Sequence, residues 1–198
     1  MTDPRAQPGV PDLVLDIRPV TPDRWADLTE LAGDRGFLSG CWCMWWRLSS
    51  REFQTGSAQA RRAGLRDLVD RGAKPGLLAY LDGSPVGWVA VAPRTEYSRL
   101  QRSTKLRPVD DKPVWAISCF YVHRAYRRKG VTEALVHAAV QHAAAQGAEH
   151  VEAYPIDTEE ARRPAGDLFT GTLTTFLAAG FTEIARRGGR PIVRIRLA

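Results

Sequence analysis

The stretch Val114–Ala138, VWAISCFYVHRAYRRKGVTEALVHA, decides how the chain is read. Its first part, Val114–His123, is an almost unbroken apolar run, the pattern of a strand buried on both faces. A short turn then delivers Arg127-Arg128-Lys129-Gly130-Val131-Thr132. From Lys129 to Gln146 the spacing of Val131, Ala134, Leu135, Ala138 and His142 predicts an amphipathic helix, ended by Gly147. A helix N-terminus exposes unpaired amides and the positive end of its dipole, so this turn suits a phosphate or pyrophosphate. Gly130, without a Cβ, lets an anion approach the backbone, and the three cations add charge at the rim. The competing reading is a surface turn that happens to be basic. Neither GxxxxGK[ST] nor GxGxxG occurs, which excludes the two commonest nucleotide loops.

Working outward, Val14–Val20 alternates as a half-buried strand, and Thr21-Pro22 opens a helix whose stripe is Trp25, Leu28, Leu31 and Ala32. A loop rich in glycine and tryptophan, Gly33–Ser50, precedes a second helix at Ser57–Arg71. Gly76–Leu81 and Pro85–Ala92 flank Asp82-Gly83-Ser84, a hairpin signal. Arg94–Lys112 is polar and basic without periodicity. Beyond the central stretch, His150–Tyr154 is a short strand halted by Pro155, and Leu168–Ala179 is a helix stopped by Gly180. Phe181–Ile184 and Ile192–Leu197 are final strands. This order describes an α+β protein with one mixed sheet covered by helices.

The 198 residues fit one domain, with 1–12 as a flexible, proline-rich tail, and the composition excludes disorder and collagen-like repeats. The net charge of +6 is unevenly placed. Nine basic residues between Arg99 and Lys129 face only Asp110 and Asp111, and five arginines after Phe181 face only Glu183, so the remainder is net acidic. Concentrated charge points to an anion site more than to a membrane or polymer coat. No apolar run reaches membrane-spanning length and no signal-peptide core opens the chain, so a cytoplasmic location is expected. Three cysteines, an odd number, argue against a secreted disulfide framework.

The turn Arg127-x-x-Gly130-x-Thr132, at the start of a helix after a buried strand, resembles the acetyl-CoA signature [RQ]-x-x-G-x-[GA] of the GNAT superfamily of N-acetyltransferases. Thr132 departs from it, standing where glycine or alanine is usual. The resemblance covers the element order from about Val14 onward, and Phe176-Leu-Ala-Ala-Gly180-Phe181 looks like the family's last helix running into its final strands. It implies one GNAT-like domain over residues 13–198, with a single mixed, mostly antiparallel twisted sheet of about seven strands. Helices would flank it, and its central strand pair would be splayed. It also implies acetyl-CoA as co-substrate, without metal, and acetyl transfer to an amine by direct attack in a ternary complex. The pantetheine arm would pair with backbone groups near Phe120, Tyr121 and Val122, and the pyrophosphate would sit on Arg127, Arg128, Lys129, Gly130, Val131 and Thr132.

Many members of the family use a tyrosine four residues before the "GF" glycine as the acid; this chain has Phe176 there. The nearest substitutes are Glu152, as base through a water, and Tyr154, as acid, which share a strand face by the two-residue period. The competing reading packs Tyr154 in the core, pairs Glu152 with an arginine and leaves thiolate protonation to solvent. Trp42, Trp45 and Trp46 fall in the region where such enzymes often bind the acceptor, so they are expected either to wall a substrate amine or to plug the core or a homodimer contact. Cys41-x-Cys43 lacks a second ligand pair for zinc. The acceptor, small molecule or peptide, has no readable motif. A CoA-binding sensor that lost catalysis is the second reading. Nucleic-acid binding through the arginines is the third, opposed by the absence of interleaved aromatics.

Overall fold

The computed structural model describes residues 13–159 and 164–197, so the expected tail at 1–12 lies outside the described residues. Seven strands form one sheet in the order β1-β2-β3-β4-β5-β7-β6. They are β1 Asp16–Pro19, β2 Gly76–Leu81, β3 Ser84–Pro93, β4 Trp115–Val122, β5 His150–Ala153, β6 Thr182–Arg187 and β7 Arg190–Arg196. All neighbours are antiparallel except β4 and β5. This is the mostly antiparallel mixed sheet expected.

The helices are α1 Trp25–Ala32, α2 Ser50–Thr55, α3 Ala58–Asp70, α4 Ser98–Arg102, α5 Val131–Ala145 and α6 Leu173–Ala178. Ser49 and Glu52 close a capping box on α2, and the Ser57 hydroxyl accepts from the Ala60 amide at 3.1 Å to start α3. One core lies between the sheet and α5, where Leu135, Val136 and Ala139 meet Val89, Ile117 and Val151. On the other face Leu28 of α1 and Leu65 and Val69 of α3 cover Leu78 and Trp88. A third cluster joins Trp46, Tyr97, Leu100, Tyr154 and Ile192.

Three elements differ from the sequence reading. A short helix, α2, stands before the Ser57–Arg71 helix, where none was expected. The single helix expected over Leu168–Ala179 is a 3-10 segment, Ala165–Thr170, and then α6, separated by Gly171 at φ +80°. The site of a Cβ on Gly171 lies 2.8 Å from the Phe176 ring, so only glycine fits this break. The connection Arg94–Lys112 is not featureless: a 3-10 turn at Arg94–Glu96 leads into α4. Arg94 is buried there, its guanidinium donating to Tyr154, Gln101 and the carbonyls of Leu100 and Leu106. A buried cation does this work where the sequence shows only polarity.

β4 carries a bulge. Ala90 faces Cys119 and Val91 faces Ile117, leaving Ser118 as the extra residue. The bulge reverses the alternation, so Ile117 and Phe120, not Ile117 and Cys119, both face the α5 core. The β4–β5 ladder runs only from Trp115↔Val151 to Ile117↔Ala153, while β4 continues to Val122. Bulge and parting therefore coincide at Ser118.

Candidate active site

From Ser118 onward β4 has β3 on one side and no strand ladder on the other; the His123 amide donates to the Val86 carbonyl, so in this register Tyr121 is bonded to Trp88 of β3 while the backbone groups of Phe120 point to the open side, available to an extended ligand. Val122 is used differently: its carbonyl accepts from Arg127 Nε at 3.1 Å, which ties the strand end to the turn. The turn then passes through two left-handed residues, Arg128 at φ +60° and Gly130 at φ +78°, before α5 begins. The Ala134 amide makes the first helical bond to the Gly130 carbonyl at 3.0 Å, so the amides before it point out of the helix end. The space where a Gly130 Cβ would stand is empty to 4 Å. Lys129 Nζ lies 5.5 Å from the Tyr126 ring, at the rim. An open, amide-lined, basic helix terminus beside an unpaired strand edge fits a long ligand that carries a pyrophosphate.

On the other face of the sheet, an apolar cavity of about 260 Å³ lies against Cys119, next to the bulge. Its walls include Cys43, Trp45, Trp46, Phe53 and Phe169. Trp45, Trp46 and Phe169 also line a second, more polar chamber of about 420 Å³ that contains Lys105, Asp157 and Arg190. The three tryptophans expected to act together thus separate. Trp42 is buried against Trp25 and Phe37 and plugs the core. Trp46 is buried and its Nε1 donates to the Ser118 carbonyl at 3.0 Å. Trp45 is 38% exposed and has the Arg99 guanidinium 3.9 Å over its ring. The loop that presents them holds Ser39, Trp42 and Cys43 at positive φ, a strained path fixed by this packing.

All three cysteines converge here. Cys43 Sγ donates to Cys119 Sγ at 3.4 Å and accepts from Trp88 Nε1 at 3.1 Å. The hydrogen bond to the Cys119 sulfur, with burial, pushes the Cys43 thiol well above its ordinary pKa. Among the described residues, no three His, Cys, Asp or Glu side chains are placed to hold a metal ion.

Glu152 and Tyr154 do share a face, and the Tyr154 hydroxyl donates to Glu152 Oε2 at 2.9 Å. Both are buried. Arg194 donates to Glu152 Oε1 at 2.7 and 3.0 Å and to both Asp110 oxygens at 2.7 and 2.8 Å, while Arg94 Nε donates to the Tyr154 oxygen at 3.0 Å. Burial pushes the Tyr154 hydroxyl far above its ordinary pKa, and the neighbouring Glu152 charge adds to the shift. Glu152 lines a cavity near Trp115, at the opposite end of β4 from the basic turn, roughly 23 Å away at strand rise. Two of the terminal arginines are likewise engaged: Arg186 pairs with Glu183 and Asp157, and Arg187 donates to the carbonyls of Arg107 and Pro108.

Phe176, at the usual tyrosine position, is fully buried between Phe120 and Phe181, with centroids 6.0 and 5.1 Å away. Sequence reasoning missed Phe53, Phe169 and Arg99 as neighbours of the cavity. They sit in segments without a motif, and only the fold brings them together. The bulge at Ser118 had a faint signal, a hydroxyl inside an apolar run.

A family model described as Acetyltransferase (GNAT) family matches residues 42–170. No curated protein matches the chain in sequence. Among solved structures, a GNAT acetyltransferase from Listeria monocytogenes is similar at TM-score 0.57 and 11% identity, covering 92% of this chain and 95% of that one. The PaiA N-acetyltransferase from Thermoplasma acidophilum, solved in complex with coenzyme A, gives 0.52 and 13%, covering 92% and 99%. A GNAT acetyltransferase from Streptococcus pneumoniae gives 0.53 and 15%, covering 93% and 99%. With the parted β4–β5 pair and the basic turn opening α5, the family match over residues 42–170 settles the classification: the chain belongs to the GNAT acetyltransferase family.

Proposed function

We propose that this chain transfers an acetyl group from acetyl-CoA to an amine acceptor by direct attack in a ternary complex. One observation carries the reading: a left-handed turn at Arg128 and Gly130 opens α5 beside the unpaired edge of β4. The pantetheine arm pairs with the backbone of Phe120 and the amide of Val122, and the pyrophosphate rests on the amides of Arg128–Thr132 with Lys129 at the rim. Arg127 acts mainly by holding the Val122 carbonyl. The acceptor enters from the cavity beside Cys119, on the opposite face. That neighbours such as PaiA were solved with coenzyme A supports this arrangement.

Glu152 as base and Tyr154 as acid belong to this proposal by position only. Their partners Arg194 and Arg94, and the raised pKa of Tyr154, favour a positioning role that holds β5, β7 and the Arg94–Lys112 connection together. The CoA thiolate then takes its proton from solvent. The second reading, a CoA-binding sensor, is favoured by the buried Phe176.

Calorimetric titration of acetyl-CoA, with amide formation followed on an amine panel, tests the proposal. Binding that is lost in Gly130→Asp, together with acetylated product from the parent chain, is the expected result. Binding without product on any amine supports the sensor, and absence of binding overturns both readings.

A further inference from the structure

The two chambers beside Cys119 describe the acceptor. Resting on the acetyl-transfer reading, we infer that the acceptor is a small aromatic amine whose nitrogen is an uncharged NH2 at neutral pH and whose ring bears an anionic group. The inner chamber, about 260 Å³, is walled by Trp45, Trp46, Phe53, Phe169 and the Cys43 and Cys119 thiols. Such a chamber holds a flat apolar body.

The charges around it are positive. Arg99 stacks 3.9 Å over the Trp45 ring and lies 5.7 Å from the Phe53 ring. Its buried Nη2 has no hydrogen-bond partner among the described residues. With a guanidinium already on it, Trp45 is a poor platform for a second cation. Lys105 lies along Gly188 and lines the outer chamber with Arg190, which donates to the Tyr154 carbonyl and the Thr170 hydroxyl. Asp157 of that chamber is bound to Arg186 at 2.8 Å.

An ammonium of lysine type, with a pKa of about 10.4, would enter charged and meet these cations. Stripping its water in an apolar chamber is strongly disfavoured without an anionic partner. An aryl nitrogen, its lone pair spread into the ring, enters neutral and needs no base before it attacks. Its lone pair forms the C–N bond to the acetyl carbon, the C–S bond breaks, the surplus proton on nitrogen is lost to solvent, and the CoA thiolate takes a proton from solvent. An anionic ring substituent reaches Lys105 in the outer chamber.

Four probes with acetyl-CoA test this: 4-aminobenzoate, 4-(aminomethyl)benzoate, aniline and spermidine. The first two share ring and carboxylate and differ in the charge on nitrogen. We expect kcat/KM for 4-aminobenzoate to exceed that of each of the others by at least about tenfold, read as acetylated product by mass spectrometry. Lys105→Glu should raise KM for 4-aminobenzoate about tenfold more than for aniline. Preference for 4-(aminomethyl)benzoate or spermidine overturns the acceptor class and leaves acetyl transfer standing. Acetyl-CoA binding with none of the four acetylated also overturns the class. Loss of acetyl-CoA binding itself, measured separately by calorimetry, overturns the underlying reading instead.

Discussion

Trp46 Nε1 donates to the Ser118 carbonyl at 3.0 Å, pinning the tryptophan loop to the one residue of β4 that the ladder with β3 skips. The bond joins that loop to the point where β4 and β5 part. Trp46→Phe leaves that buried carbonyl without a donor and should cost about 1–3 kcal/mol in urea unfolding. KM for the acceptor should rise while the Kd for acetyl-CoA stays close to that of the parent, since the cofactor turn is on the other side of the sheet. Equal loss of both would contradict the separation.

Glu152→Gln removes the charge that Arg194 and Tyr154 share, leaving a buried guanidinium partly uncompensated. A loss of about 3–5 kcal/mol is expected. Tyr154→Phe, which strips one partner from Arg94 Nε and one from Glu152, should cost about 1–3 kcal/mol. In both variants turnover per folded molecule should stay within about tenfold of the parent, whereas loss of a proton-transfer group costs roughly 10²–10⁴. Rates normalised by circular dichroism decide between the two.

Asp110 is held by Arg194 through two bonds, and that hydrogen bonding lowers its pKa to about 2. The folded value lies below the ordinary carboxylate value of about 3.9, so its stabilisation is complete above that pH and is lost as pH falls toward 2. Asp110→Asn should lower stability by a constant amount above about pH 5 and flatten the curve below it, the two proteins converging as pH falls toward 2. Denaturant midpoints measured from pH 2 to 6 give the comparison.

The thiol pKa of Cys43 is raised by its hydrogen bond to Cys119 and by burial, and that of Cys41 by its bond to Cys43 and by burial. Because the thiolate is the reactive form, labelling by a disulfide reagent at pH 8 should be at least about tenfold slower in the native protein than in urea. All three cysteines should react after unfolding. A fast native phase would place a thiolate in the acceptor cavity.

Phe176→Tyr tests whether the usual acid can be restored. The ring is fully buried against Phe120, Phe181 and Gly171, so a hydroxyl there should cost about 1–3 kcal/mol and bring no gain in turnover. A rate increase would mean the ring reaches the thioester.

Much of this fold was legible in the chain because local signals agreed with the tertiary answer. The unbroken apolar run at Val114–His123, the alternation at Val14–Val20 and the Asp82-Gly83 turn each correspond to an observed strand or hairpin. The Arg127–Thr132 turn stood out because a helix start, a glycine and clustered cations are all local features. The rest was not local. Ser118 became a bulge only when β3 set the register, and Gly171 broke a helix only because the Phe176 ring occupies the space beside it. Only the fold carries Arg194, 42 residues away, onto the Glu152 carboxylate. Trp45, Phe53, Arg99 and Phe169 were scattered residues until packing made three of the walls and one of the charges of a single cleft from them. Sequence by itself determined the sheet order's raw material and the basic turn that opens α5, because hydrogen-bonding and hydrophobic periods act between near neighbours. Tertiary structure alone decided which charges are spent inside the molecule and which stand beside the Trp45–Phe169 cavities, because Coulomb and packing energies depend on distance in space and not along the chain.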